Sequence, residues 1–211
     1  MALSQSELQK KRQKKQQKRS TTTKSKAASS GKPPQLLKPN MLGSSTIYDA
    51  WVSPGIQESG IGHVIISRIN YGMITMVDFL VDTYCLGVKN TLIREETEVS
   101  YLSLINMMNA SMNPLAPVEP SYAKKLVLEV VQYASTIGIA PHHDYHKLKV
   151  VFDDVDATEC LVKFSFGQDG KPLLVQGPHD SPKQIKVWMN NLRNHCGDGE
   201  FDYILEVKKY D

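Results

Sequence analysis

The sequence predicts an α+β fold: a mainly antiparallel sheet, built from two hairpins and a C-terminal strand, packed by about three helices and preceded by a disordered basic tail. Three observations predict it. Strand-like and helix-like segments arrive in blocks, not in the strict alternation of doubly wound folds. Two β-rich segments flank a short turn at Asn70-Tyr71-Gly72, which is the pattern of a hairpin. Residues 121–137 carry apolar side chains at steps of three and four, which is the pattern of an amphipathic helix.

Residues 1–40 read as a tail and linker, and residues 41–211 as a single domain. The tail holds eleven Lys or Arg and one acid, Glu7, for a charge of about +10. The other 171 residues hold fourteen bases and twenty-one acids, for about −7, so the overall net charge of +3 hides the division. Lys10, Lys11, Arg12, Lys14, Lys15, Lys18 and Arg19 crowd into one short run. Lys, Arg and Gln are good helix formers, and Ser6 with Gln9 has capping-box spacing, but a short isolated helix bearing seven like charges is marginal. The run is expected to be disordered and to turn helical when a polyanion neutralises it. Residues 20–40, with Thr-Thr-Thr, Ser-Ser-Gly and Pro-Pro, have linker composition.

In the body, residues 63–69 and 73–81 form the first hairpin, and residues 84–88 extend the sheet past an irregular bend at Asp82. Residues 99–112, rich in Leu, Ile and Met, form a first helix, closed off by Pro114 and Pro117. The second, over residues 121–137, aligns Ala123, Leu126, Val127, Val130, Val131, Ala134 and Ile137 on one stripe, with Pro120 at its start and Gly138 at its end. Residues 160–166 and 172–175 read as a second hairpin around Gln168-Asp169-Gly170. Ser181-Pro182-Lys183-Gln184 is a capping box that opens a third helix, which buries Ile185, Trp188, Met189 and Leu192 and stops at Gly197. Residues 201–207 supply the last strand.

Composition excludes several classes. Three cysteines, odd in number and far apart, do not make a disulfide framework and fit a reducing compartment. No apolar run approaches a membrane span or a secretory signal, so a cytoplasmic protein without membrane contact is expected. Phosphate-binding, dinucleotide, zincin and α/β-hydrolase motifs are all missing, which disfavours those enzymes.

Four segments carry residue types capable of chemistry. Pro141-His142-His143-Asp144-Tyr145-His146 holds half of the six histidines, and His142, His143, Asp144 and His146 are candidate ligands for zinc or another divalent metal. No cofactor is otherwise expected. Cys85 with Lys89 four residues on is a candidate nucleophile with a lowered pKa, with His63 or His143 as its base if the fold brings one near; its competing reading is a packed thiol. His179 precedes a helix start, where free N–H groups attract anions, although Ser181 is needed there as the cap. Asp153-Asp154-Val155-Asp156 with Glu159 is an acidic cluster without EF-hand spacing.

The charge division is the strongest functional signal. A polycationic arm on an acidic body implies a polyanionic partner, met by phosphate contacts from the seven basic residues of 10–19. The tail contains no aromatic residue, so base stacking is not offered there. The expected function is a non-enzymatic module associated with nucleic acid or a ribosome, whose acidic body meets a protein partner. The alternative is a small hydrolase or nuclease, metal-dependent, with its site around residues 142–146.

Overall fold

The computed structural model describes Leu42, residues 45–110 and residues 114–205. The tail and linker of residues 1–40 lie outside the described residues. Five strands form one antiparallel sheet: β1 (Thr46–Val52), β2 (Ile61–Asn70), β3 (Met73–Asp82), β4 (Gly87–Thr97) and a two-residue β5 (Ala116–Pro117). Their spatial order is β4-β3-β2-β1-β5. The fold is therefore α+β with a mainly antiparallel sheet.

The first hairpin forms as its sequence requires. Asn70 pairs with Met73, so the loop is Tyr71-Gly72, and both residues take positive φ (46° and 77°). That is the backbone of the two-residue turn whose twist matches antiparallel strands. Past Asp82 the chain does not continue straight. It turns over residues 83–86, pinned by Asp82 Oδ1, which accepts from the amides of Tyr84 (3.0 Å) and Cys85 (2.8 Å). Gly87 then starts β4 with φ 69°.

Both sheet faces are covered, because alternation splits β2 and β3 between two cores. Val64, Ile66, Val77, Phe79 and Val81 face α3 (Pro120–Thr136), a short helix α4 (Tyr145–Leu148) and the 3₁₀ turn Lys149–Phe152. Ile65, Ile74 and Met76 face Tyr101 and Ile105 of α2 (Glu98–Asn109). A short helical turn, α1 (Ile56–Ser59), links β1 to β2. The predicted stripe of α3 is buried at Ala123, Leu126, Val127, Val130 and Ala134, with Ile137 just beyond the helix; Val131 is only partly covered.

The second hairpin takes another form. Residues 160–166 make no strand, and a single bridge, Gln168 with Lys171, is what the turn retains. Their partners lie elsewhere. Lys125 Nζ donates to the carbonyls of Cys160 and Val162, Phe164 sits edge-on to Tyr122, and Phe166 stacks on Tyr133. The segment is thus strapped along α3. β6 (Leu173–Val175) pairs in parallel with β7 (Asp202–Ile204) instead. The third helix, α5 (Pro182–Cys196), has its full capping box and packs Ile185, Met189 and Leu192 against Cys85, Leu86, Ala134 and Leu174. Among the described residues no helix is long and apolar enough to cross a membrane.

Candidate functional site

The histidine loop joins α3 to α4 and is fixed to the sheet. The His142 amide donates to Val88 O of β4 (2.8 Å), and the Tyr145 amide donates to His142 O (2.9 Å). His142 Nδ1 lies 3.0 Å from Thr91 Oγ1, also on β4. The rings of His142 and His143 are 4.1 Å apart between centroids, and His143 Nε2 is 3.1 Å from Asp144 Oδ2. One donor atom from each of His142, His143 and Asp144 can be chosen so that all lie within 4.8 Å of one another. Burial and the neighbouring His143 hold the His142 imidazole below its usual pKa, whereas the Lys147 ammonium beside Asp144 holds that carboxyl low. His146 does not join the group; it faces solvent on α4, with its ring against Tyr145.

Cys85 and Lys89 meet different surroundings. Cys85 is fully buried in the cluster beneath α5, and burial pushes its thiol pKa up, opposite to what a thiolate nucleophile needs. Lys89 Nζ donates to Asp180 Oδ2 at 2.6 Å and lies 5.9 Å from the centre of the Trp188 ring. This environment favours the packed-thiol reading. The same carboxylate explains the start of α5. Asp180 Oδ2 also accepts from the Gly177 amide (2.7 Å), while Ser181 Oγ and Gln184 Oε1 satisfy each other's backbone amides. The helix terminus is closed by its own side chains, and His179 stands exposed beside it. Two acids of the acidic segment are engaged internally. Asp154 pairs with the fully buried guanidinium of Arg68, which holds its carboxyl below the usual range, and Asp156 caps the 3₁₀ turn Ala157–Glu159.

One juxtaposition was not singled out from the sequence. His63 Nδ1 sits 3.0 Å from both carboxylate oxygens of Asp78. The hairpin register produces it: His63 faces Leu80 and Ile65 faces Asp78, so His63 and Asp78 are diagonal neighbours on one face. The position of the two-residue turn is the signal that finds this pair. Asp78 is buried, and its hydrogen bond raises the His63 pKa against the opposing effect of burial. His63 borders a cavity of about 290 Å³ lined also by Ser53, Pro54, Ser59, Ile61, Leu80 and Pro114. Ser53 Oγ accepts from the His63 amide (2.9 Å), which fixes the rim of the cavity to β2.

The structure brings together His142, His143 and Asp144, and separately His63 and Asp78. Lys10, Lys11, Arg12, Lys14, Lys15, Lys18 and Arg19 lie outside the described residues. No family model, no curated protein and no solved structure matches the chain.

Proposed function

We propose that the protein is a non-enzymatic, cytoplasmic binding module associated with nucleic acid or a ribonucleoprotein. The polybasic arm contacts phosphates, and the folded acidic body contacts a protein partner. The observation that carries this reading is the charge division of about +10 over residues 1–40 against about −7 over the rest. Two features of the body are in keeping with it. The candidate nucleophile is sealed in a core with a raised pKa, and its lysine is committed to Asp180. Apolar side chains suited to a protein contact stand exposed on α2 at Val99, Leu102 and Met107.

The test is replacement of the seven basic residues of 10–19 by Gln in the full chain. Fluorescence anisotropy with labelled RNA and duplex DNA at low salt is expected to show affinity falling by more than about 100-fold, because each lost phosphate contact removes released counterions. Retained affinity would refute the role of the arm.

The second reading, a metal-dependent hydrolase or nuclease around residues 142–146, is favoured by the closeness of His142, His143 and Asp144. Its measure is cleavage of labelled RNA and DNA by the chain supplied with Zn²⁺ or Mn²⁺. Activity that disappears in His143→Ala supports it, and an inert protein removes it.

A further inference from the structure

We propose that His142, His143 and Asp144 form a site for one divalent transition-metal ion of the zinc class, held by two imidazole nitrogens and one carboxylate oxygen with the remaining positions open to water. The proposal needs neither the nucleic-acid arm nor any hydrolytic activity.

Geometry comes first. Two ligands bound at about 2.0–2.2 Å to one tetrahedral or octahedral ion stand roughly 2.9–3.5 Å apart. His143 Nε2 and Asp144 Oδ2, at 3.1 Å, already have that separation. One ligand atom from each of His142, His143 and Asp144 lies within 4.8 Å of the other two, so rotation of partly exposed side chains, moving these atoms by an ångström or so, completes the set. The side chain of His143 is 77% exposed, which leaves the ion an entry path and room for water ligands.

The surroundings prepare the first ligand. His142 Nδ1 has two polar neighbours, Thr91 Oγ1 at 3.0 Å and the Asp144 amide, which donates to it across 3.4 Å. Metal binding through Nε2 requires the tautomer in which Nδ1–H donates to Thr91 Oγ1 and the long amide contact is given up. A partner on the ring nitrogen away from the ion aims the ring, as it does for most metal-binding histidines. The loop itself is anchored to β4 through the His142 amide. Lys147 Nζ is the competing cation, but it approaches Asp144 Oδ1 (3.3 Å) and leaves Oδ2 toward His143. Two nitrogens and one oxygen suit Zn²⁺, Co²⁺, Ni²⁺ or Cu²⁺; Mg²⁺ and Ca²⁺ prefer all-oxygen shells. Three protein ligands with an open position is also the ligand count of catalytic, as opposed to structural, zinc sites.

The experiment uses the untagged full chain, cleared of metal with a chelator. It is titrated calorimetrically with Zn²⁺ and, by visible absorption, with Co²⁺. One ion per chain is expected. His143→Ala and Asp144→Asn should each weaken Zn²⁺ binding by at least about 10-fold and alter the Co²⁺ bands, and Thr91→Val should weaken it by about 10- to 100-fold. His146→Ala should leave binding unchanged, and circular dichroism confirms that each variant is folded. Three results overturn the proposal: folded wild-type protein that binds no stoichiometric ion, binding unaffected by His143→Ala, or a loss in His146→Ala as large as in His143→Ala.

Discussion

Asp82 is a carboxylate used for shape. It is buried, and desolvation raises its pKa from 3.8 to about 6 in spite of the amides that donate to it. The folded state thus holds a proton that the unfolded state releases between these values. Stability from this group is complete below 3.8 and is lost as pH rises through about 6. Asp82→Asn keeps an oxygen acceptor for the turn and removes the titration. Urea unfolding from pH 4 to 7 should therefore show a decline in the wild type that is smaller in Asp82→Asn; equal profiles would contradict this reading. Asp82→Ala strands the amides of Tyr84 and Cys85 and should cost about 1–3 kcal/mol at pH 7. His63 behaves in the related sense. The Asp78 hydrogen bond raises its pKa above 6.5, so its contribution to stability is present below 6.5 and fades as pH passes the folded value. In an NMR titration, Asp78→Asn should move the His63 midpoint downward. An unmoved midpoint would mean that the pair is not the cause. The sequence shows that His63 and Asp78 exist, but their meeting depends on a register that only the location of the Tyr71-Gly72 turn fixes.

Elements with one strong local signal were the legible ones. The β2–β3 hairpin, α3 and the capped start of α5 each carry turn, stripe or cap chemistry that acts within a few residues. β4 was harder to read because, as an edge strand, it alternates exposed and covered positions and carries Lys89, Arg94, Glu95 and Glu96, which blunt its apolar pattern. β1 offers seven residues with no turn signal like that of the β2–β3 hairpin, and its partner β2 is reached only through α1. The second hairpin failed for a tertiary reason: Lys125, Tyr122 and Tyr133 of α3 claim the segment that a strand would have used. The join between α3 and β4 is tight enough to test. A Cβ on Gly87 would stand 2.8 Å from Ala134 Cβ and 3.3 Å from Val130 O, on a backbone at φ 69°. Gly87→Ala should cost more than about 2 kcal/mol through strain and overpacking. Leu126→Ala, in the fully buried stripe, should cost about 2–5 kcal/mol by leaving a cavity. Chemical denaturation measures both, and a change below about 0.5 kcal/mol in either would show that this interface is looser than the structure has it.

At the scale of the whole molecule, the described body pairs several of its charges inside the fold, and the sequence sets a basic stretch beside an acidic one. Arg68 with Asp154, Lys89 with Asp180 and His63 with Asp78 pair buried or half-buried groups inside the fold. The eleven bases of residues 1–40 share that stretch with one acid, and in the proposed function their partner is a polyanion outside the chain. The chain of residues 41–211 retains Leu42, which is 1% exposed among Ala50, Val52 and Ile56. The decisive measurement is the salt dependence of binding to fluorescent RNA and duplex DNA by the full chain and by residues 41–211. The full chain should bind with a log–log slope near −6 on duplex DNA if the seven residues of 10–19 each meet a phosphate, and the truncated chain should not bind. Equal affinity and equal slope in the two proteins would contradict the assignment of nucleic-acid contact to the arm and return it to the folded body.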